Sequence, residues 1–243
     1  MCLGDSITQG GGGWDWPAML AGLTGANVTN GGFGGCRMGQ HSNALFDPFS
    51  MYRIAQRIED GNWAALTAAA DTLFAATGDD RRPAAARLAA LDWSTVDYIV
   101  ISYGTNDFGG EVPIGADSDT TGTTFKGAIN TSIARILATY PRIQILFATP
   151  LWRSRVYADG DDSNVTPNNS GVFLREYVQA IKTRAKAYQI PVTDLYDNSG
   201  ISILNWTTMM PDGLHPWSVP GVERVATMIA GALSSVASGG GGG

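Results

Sequence analysis

The feature that most restricts the fold is an alternation. Short apolar runs recur, three of them ending in glycine, aspartate, serine or asparagine, with longer stretches of helical spacing between them. Met1, Cys2 and Leu3 lead into Gly4-Asp5-Ser6, the β-like Ala26 to Thr29 into Asn30-Gly31-Gly32-Phe33-Gly34-Gly35, and Val96 to Ser102 into Gly104-Thr105-Asn106-Asp107. Ile143 to Phe147 ends in Thr149-Pro150-Leu151-Trp152-Arg153, and Ile190 to Leu195 is the final run. Between them, Trp16, Met19, Leu20 and Leu23 share one apolar face behind Pro17, a residue suited to a first helical turn. Phe125, Ile129, Ile133, Ile136 and Leu137 repeat at helical spacing until Pro141, Leu174 to Tyr188 does the same, and Val219 to Leu233 closes the series. Strand and helix in alternation predict an α/β fold, a three-layer α/β/α sandwich around a mainly parallel sheet with right-handed crossovers.

Four stretches stand apart from this rhythm. Residues 38–92 are helical and increasingly rich in alanine, which predicts a helical insertion that thickens one layer or covers one rim of a site. Phe108 to Thr124 and Asp159 to Ser170 lack periodicity and read as loops, the second as a mobile surface loop. Ser238 to Gly243 reads as a Gly-rich flexible tail or linker outside the fold, leaving residues 1–237 as one domain.

Composition narrows the partners. A chain of 243 residues, 44% hydrophobic, buries a full core as one moderately large domain. Its net charge of -6 argues against a broad footprint for nucleic acid or anionic membrane. A solvated acidic surface is the reading of that charge. Cys2 and Cys36 are the cysteines and His41 and His215 the histidines, with no zinc-ligand spacing among them, so neither a metal nor another cofactor is implied. Free buried thiols are the default for the two cysteines. No apolar run reaches the roughly 18 to 20 residues of a membrane span. GDSIT follows almost at once on Met1, so no secretory leader is expected within the chain. The compartment stays open, with secretion favoured over the cytoplasm.

The chemistry lies at the ends of the apolar runs. In an open parallel sheet working groups gather beyond the carboxyl ends of strands, where Ser6 falls. A Gly-Asp-Ser turn alone is usually only a turn. A serine hydroxyl becomes a nucleophile when a base takes its proton, and the base needs a carboxylate to orient it. Asp212-Gly213-Leu214-His215-Pro216 supplies acid and imidazole within one segment. The glycines of 30–35 let backbone N–H groups approach a ligand, and Asn106 brings a side-chain amide to a strand end, so both are candidate donors to an oxyanion. Trp14, Asp5, Trp152 and Arg153 are candidate substrate-lining residues, with core packing the alternative for Trp14.

The chain resembles the SGNH hydrolases, or GDSL-type esterases and lipases, in GDSIT at 4–8, NGGFGG at 30–35, GTND at 104–107 and DGLHP at 212–216. The resemblance spans nearly the whole chain in the right order. It implies a flavodoxin-like five-stranded sheet, Ser6 as nucleophile, His215 as general base and then acid, and Asp212 as its orienting partner. It further implies an oxyanion hole of the Ser6 N–H, the Gly35 N–H and the Asn106 amide, with Gly34 the alternative to Gly35. The implied activity is hydrolysis of short acyl esters, carbohydrate O-acetyl esters foremost, which makes a small-molecule or carbohydrate ester the implied partner. The alternatives are a lipid-directed esterase or lysophospholipase, and a non-catalytic carbohydrate-binding or structural module on the same fold. Two departures from the family pattern stand out: only three residues precede Gly4 where several apolar ones are usual, and Cys36 follows Gly35 where relatives often carry a polar residue.

Overall fold

The structure, a computed structural model, describes residues 1–156 and 159–239. In chain order the elements are β1 (Cys2–Gly4), α1 (Ser6–Gln9), α2 (Trp16–Thr24), β2 (Asn30–Gly32), α3 (Met51–Asp60), α4 (Ala64–Thr77), α5 (Arg82–Ala90) and β3 (Tyr98–Ser102). There follow α6 (Thr105–Gly109), α7 (Phe125–Thr139), β4 (Gln144–Ala148), α8 (Leu174–Ala187), β5 (Val192–Thr193), α9 (Leu195–Asn198), α10 (Trp206–Met209) and α11 (Val219–Gly239). The five strands are parallel in the order β2-β1-β3-β4-β5, the doubly wound order of a flavodoxin-like sheet.

Successive strand residues face opposite sides, and both sides are covered. Leu3, Ile99, Ile101, Ile145 and Phe147 enter a core shared with α3, α4, α5, α7 and α8. Cys2, Val100, Leu146 and Ala148 enter a second core shared with α2 and α11. Three layers result, as the alternation predicts.

The second strand lies later than its apolar run suggests, at Asn30–Gly32 instead of Ala26 to Thr29. Close packing of α1 on β2 is the reason: a Cβ on Gly32 would come within 2.2 Å of the Gln9 nitrogen, and one on Gly31 within 2.9 Å of Leu3 Cδ2. Glycine, not an apolar side chain, is what the centre of this strand requires.

Residues 38–92 form a helical layer. Ile54, Ile58, Leu66, Leu73 and Leu88 are buried in the larger core, and Trp63 stacks on Trp93 at 5.3 Å. Polarity misleads over Asp159 to Ser170, which is tied to the body rather than standing off it. Asn168 is buried and donates to the Phe108 carbonyl at 3.0 Å, Arg155 donates to the Pro167 carbonyl at 2.8 Å, and Ser163 is buried. At the C-terminus, Ser238 and Gly239 belong to α11 instead of the expected tail, with Ser238 Oγ donating to the Ser234 carbonyl at 2.9 Å. Gly240 to Gly243 lie outside the described residues. Both cysteines are free and buried. Among the described residues no helix is long and apolar enough to cross a membrane.

Candidate active site

The ladder aligns three strand ends. Gly4 pairs in register with Gly32 on one side and Ser102 on the other, so the segments leaving β1, β2 and β3 emerge together. Gly4 has no room for a side chain, since a Cβ would sit 2.0 Å from Thr8 Oγ1 and 2.7 Å from the Ser102 carbonyl oxygen. The chain turns directly into α1, with Asp5 as N-cap accepting from the Ile7 N–H at 2.9 Å. Ser6 is therefore the first residue of a short helix, where its own N–H has no intrahelical acceptor.

Ser6 Oγ lies 2.8 Å from His215 Nε2, although 209 residues separate the two. On the far side of the ring, His215 Nδ1 lies 2.7 Å from Asp212 Oδ2. The other oxygen of Asp212 accepts from the Leu214 N–H at 2.9 Å and the His215 N–H at 2.7 Å, so one turn fixes acid and imidazole relative to each other. Burial lowers the His215 pKa below the ordinary value, more than the hydrogen bond and charge of Asp212 raise it, and the charge of Arg153 lowers it further. Desolvation pushes the Asp212 carboxyl up, yet the N–H groups and imidazole of His215 outweigh it and hold the pKa below the usual value. This arrangement keeps a neutral imidazole and an anionic carboxylate in line with a hydroxyl.

Donors surround the same serine. After β2, residues 33–36 close a turn in which the Cys36 N–H donates to the Phe33 carbonyl at 3.2 Å and Gly35 takes a φ of 70°. A Cβ built on Gly34 would stand 3.8 Å from Ser6 Cβ, which places the turn against the serine. Asn106 Nδ2 donates to the Cys36 carbonyl at 3.0 Å, leaving its second hydrogen for another acceptor. Neighbouring Asp107 is buried and accepts from the Met38 N–H at 2.9 Å and the Gly39 N–H at 3.0 Å. The loop after β3 thus clamps the loop after β2.

The candidate lining residues fare differently. Trp152 is 1% exposed, lies in the second core and donates from Nε1 to Asp162 at 2.6 Å, so it lines no open surface. Arg153 is buried and donates to Thr105 O and Oγ1 at 3.1 and 3.2 Å and to the Ser154 carbonyl at 2.9 Å. Asp5 is buried as the cap of α1, and half-buried Trp14 packs against the second core. Trp152, Arg153 and Asp5 are thus engaged in core packing, backbone hydrogen bonds or capping inside the fold. Sequence reasoning passed over Trp217, which stacks on His215 with ring centroids 4.1 Å apart and planes 12° apart while 36% exposed. Its signal was its place two residues after His215. Arg81, which holds the Gly34 carbonyl, gave no such signal.

A doubly wound α/β fold with serine, imidazole, carboxylate and amide at its strand ends defines a class of hydrolase scaffold, and the comparisons narrow it. The model of the GDSL-like Lipase/Acylhydrolase family matches residues 2–218, and the chain belongs to that family. It is a carboxylic ester hydrolase. Among solved structures, one is 29% identical with a TM-score of 0.72, covering 97% of this chain and 95% of that one. Two more share the fold at lower identity. A possible lipase from Chitinophaga pinensis is 20% identical (TM-score 0.62, 97% of each chain covered), and a carbohydrate acetylesterase from Sinorhizobium meliloti is 15% identical (TM-score 0.59, 97% of each). No curated protein matches the sequence.

Proposed function

We propose that the chain is a serine esterase for short acyl esters, carbohydrate O-acetyl esters foremost, with Ser6 as nucleophile. The observation that carries this reading is the line from Ser6 Oγ through the His215 ring to Asp212, at 2.8 and 2.7 Å. Nε2 takes the hydroxyl proton as Oγ bonds to the ester carbonyl carbon. The carbonyl oxygen becomes an oxyanion held by the Ser6 N–H, the Gly35 N–H and Asn106 Nδ2. The C–O bond to the alcohol then breaks and Nε2 returns the proton to the departing oxygen. Water repeats the sequence on the acyl-serine, releasing the acid.

The exposed indole of Trp217, lying on the ring that protonates the alcohol, supports a substrate whose alcohol offers a flat C–H face, as a sugar does. Likeness to a carbohydrate acetylesterase agrees with this at the level of fold. A cavity of about 710 Å³ does not serve the acyl group, because it is lined by Met1, Val28, Asp97 and Tyr98 at the opposite end of the strands.

Ser6→Ala is expected to abolish turnover of p-nitrophenyl acetate and labelling by a fluorophosphonate while the far-UV spectrum is unchanged. Retained turnover would sink the assignment. A series of acyl lengths, run beside acetylated sugars, separates the substrate classes: rates falling beyond butanoyl support the short-acyl reading, and rates rising toward dodecanoyl support a lipid-directed one.

A further inference from the structure

The turn at 33–36 has its polar groups almost fully taken. The Cys36 N–H is used within the turn, the Gly34 N–H donates to Gln9 Oε1, and the Cys36 carbonyl receives Asn106. Among the described residues the Gly35 N–H has no acceptor. The Gly34 carbonyl receives Nη2 of Arg81 at 2.6 Å. Nη1 of the same guanidinium donates to Cys36 Sγ at 3.0 Å, and Nε to Asp79 Oδ2 at 3.0 Å. Arg81 comes from the start of α5, its side chain is 2% exposed, and its guanidinium carbon lies 4.4 Å from the Phe46 ring centroid and 5.0 Å from that of Phe49.

These contacts act on one peptide plane. In a trans peptide the carbonyl of residue i and the N–H of residue i+1 point in opposite directions. A guanidinium on the Gly34 carbonyl therefore turns the Gly35 N–H the other way. The Gly34–Gly35 peptide is also the central one of the turn, the plane whose reversal converts one β-turn type into another, and glycine at both positions leaves little steric resistance to that reversal.

We propose that Arg81 is a positioning residue for ester hydrolysis: it locks the Gly34–Gly35 peptide so that the Gly35 N–H stays directed at the developing oxyanion. Cys36 belongs to the lock, since it meets Arg81 through its sulfur and Asn106 through its carbonyl. The helical layer of residues 38–92 thereby serves as a brace for the donor loop. The inference rests on Ser6 being the nucleophile.

Arg81→Gln and Arg81→Lys are the test, with p-nitrophenyl acetate as substrate and phenylboronic acid as a probe that forms a tetrahedral adduct on a serine. Fluorophosphonate titration supplies the concentration of competent sites. Removing an oxyanion donor costs about 10² to 10³ in kcat. Letting one swing free should cost Arg81→Gln about 10- to 100-fold in kcat per titrated site, with KM within twofold and the boronate Ki raised by the same factor as kcat falls. Arg81→Lys keeps the charge but cannot span the Gly34, Cys36 and Asp79 acceptors together, so it should lose less, with the same proportionality, and it carries the test if the Gln variant fails to fold. A purely structural Arg81 would lower the thermal midpoint and the number of titrated sites, leaving kcat per site and the boronate Ki unchanged. That result overturns the inference while the nucleophile assignment stands. A wild-type protein that neither turns over ester nor reacts with the fluorophosphonate overturns both.

Discussion

In the mechanism proposed above, His215 takes a proton from Ser6 and must be neutral to do so, and burial of the ring favours that state. Desolvation dominates over Asp212, so its pKa falls below the ordinary value of 6.5, with Arg153 acting in the same sense. With the protonated ring as the inactive form in that mechanism, the rate is expected to climb with pH through a midpoint below 6.5. Measuring kcat/KM from pH 4 to 8 checks this, and a midpoint above 7 would mean that Asp212 rather than burial controls the ring. In the proposed mechanism the indole face of Trp217 lies against the imidazolium as it forms. The motifs that carry Ser6, Asp212, His215 and Asn106 are legible in the sequence because each is short and local, and the structure brings Ser6, His215 and Asp212 into hydrogen-bond distance. Arg81 is not legible there, for it lies 45 residues beyond Cys36 in a run of acids and arginines that reads as solvated surface. Trp152 and Arg153 erred in the opposite direction: a strand end points toward the site, but the Asp162 and Thr105 atoms that bury these side chains come from elsewhere in the chain.

At the scale of elements, periodicity gave the long helices to within a few residues, since α7, α8 and α11 each bury one continuous apolar face. The failures are short pieces. β2 is Asn-Gly-Gly, with no apolar residue to reveal it, and only the pairing of Gly31 with Leu3 and of Gly32 with Gly4 makes it a strand. Its glycines admit α1, and α1 carries Ser6. Replacing Gly32 by alanine should thus strike structure and activity at once, since the new methyl group meets backbone atoms of Thr8 and Gln9 at 2.2 to 2.6 Å rather than a yielding side chain. Overpacking of this kind typically costs about 1 to 3 kcal/mol. The predicted outcome is a lower thermal midpoint together with a kcat reduced in the protein that remains folded, because Ser6 is moved relative to His215. Gly22 makes a control, exposed on α2 with open space at its Cβ, where alanine should leave kcat unchanged. Equal effects at the two positions would show that α1 is not seated by β2.

Across the whole molecule, the strand ends gather charge beneath a site that two apolar cores enclose. Asp5 and Asp107 are both buried, and desolvation raises their pKa values from 3.8 to about 7 and about 6. For Asp5 the negative charge of Asp107 adds to the rise, while the Ile7 N–H and the charge of Arg153 oppose it. A carboxyl whose pKa is higher in the folded state than in the unfolded one binds more protons when folded. Its contribution to stability is then greatest at low pH and is lost as pH rises from about 4 through 7. A tenfold change in a proton-binding equilibrium is worth about 1.4 kcal/mol, so ionising Asp5 in place costs on the order of a few kcal/mol. Other groups titrate in the same range with the opposite sign, His41 among them with a pKa lowered to about 4, so the pH curve of the wild-type protein alone does not isolate Asp5. A difference between two proteins does. Asp5→Asn retains an acceptor for the Ile7 N–H, since asparagine caps helices about as well as aspartate, and cannot ionise. Its thermal midpoint should match that of the wild type near pH 4 and exceed it by an amount that grows through pH 7 and then levels, reaching about 5 °C or more. A gap constant from pH 4 to 8 would mean that Asp5 is ionised in the folded protein throughout, with Arg153 and the helix N–H groups compensating its burial in full.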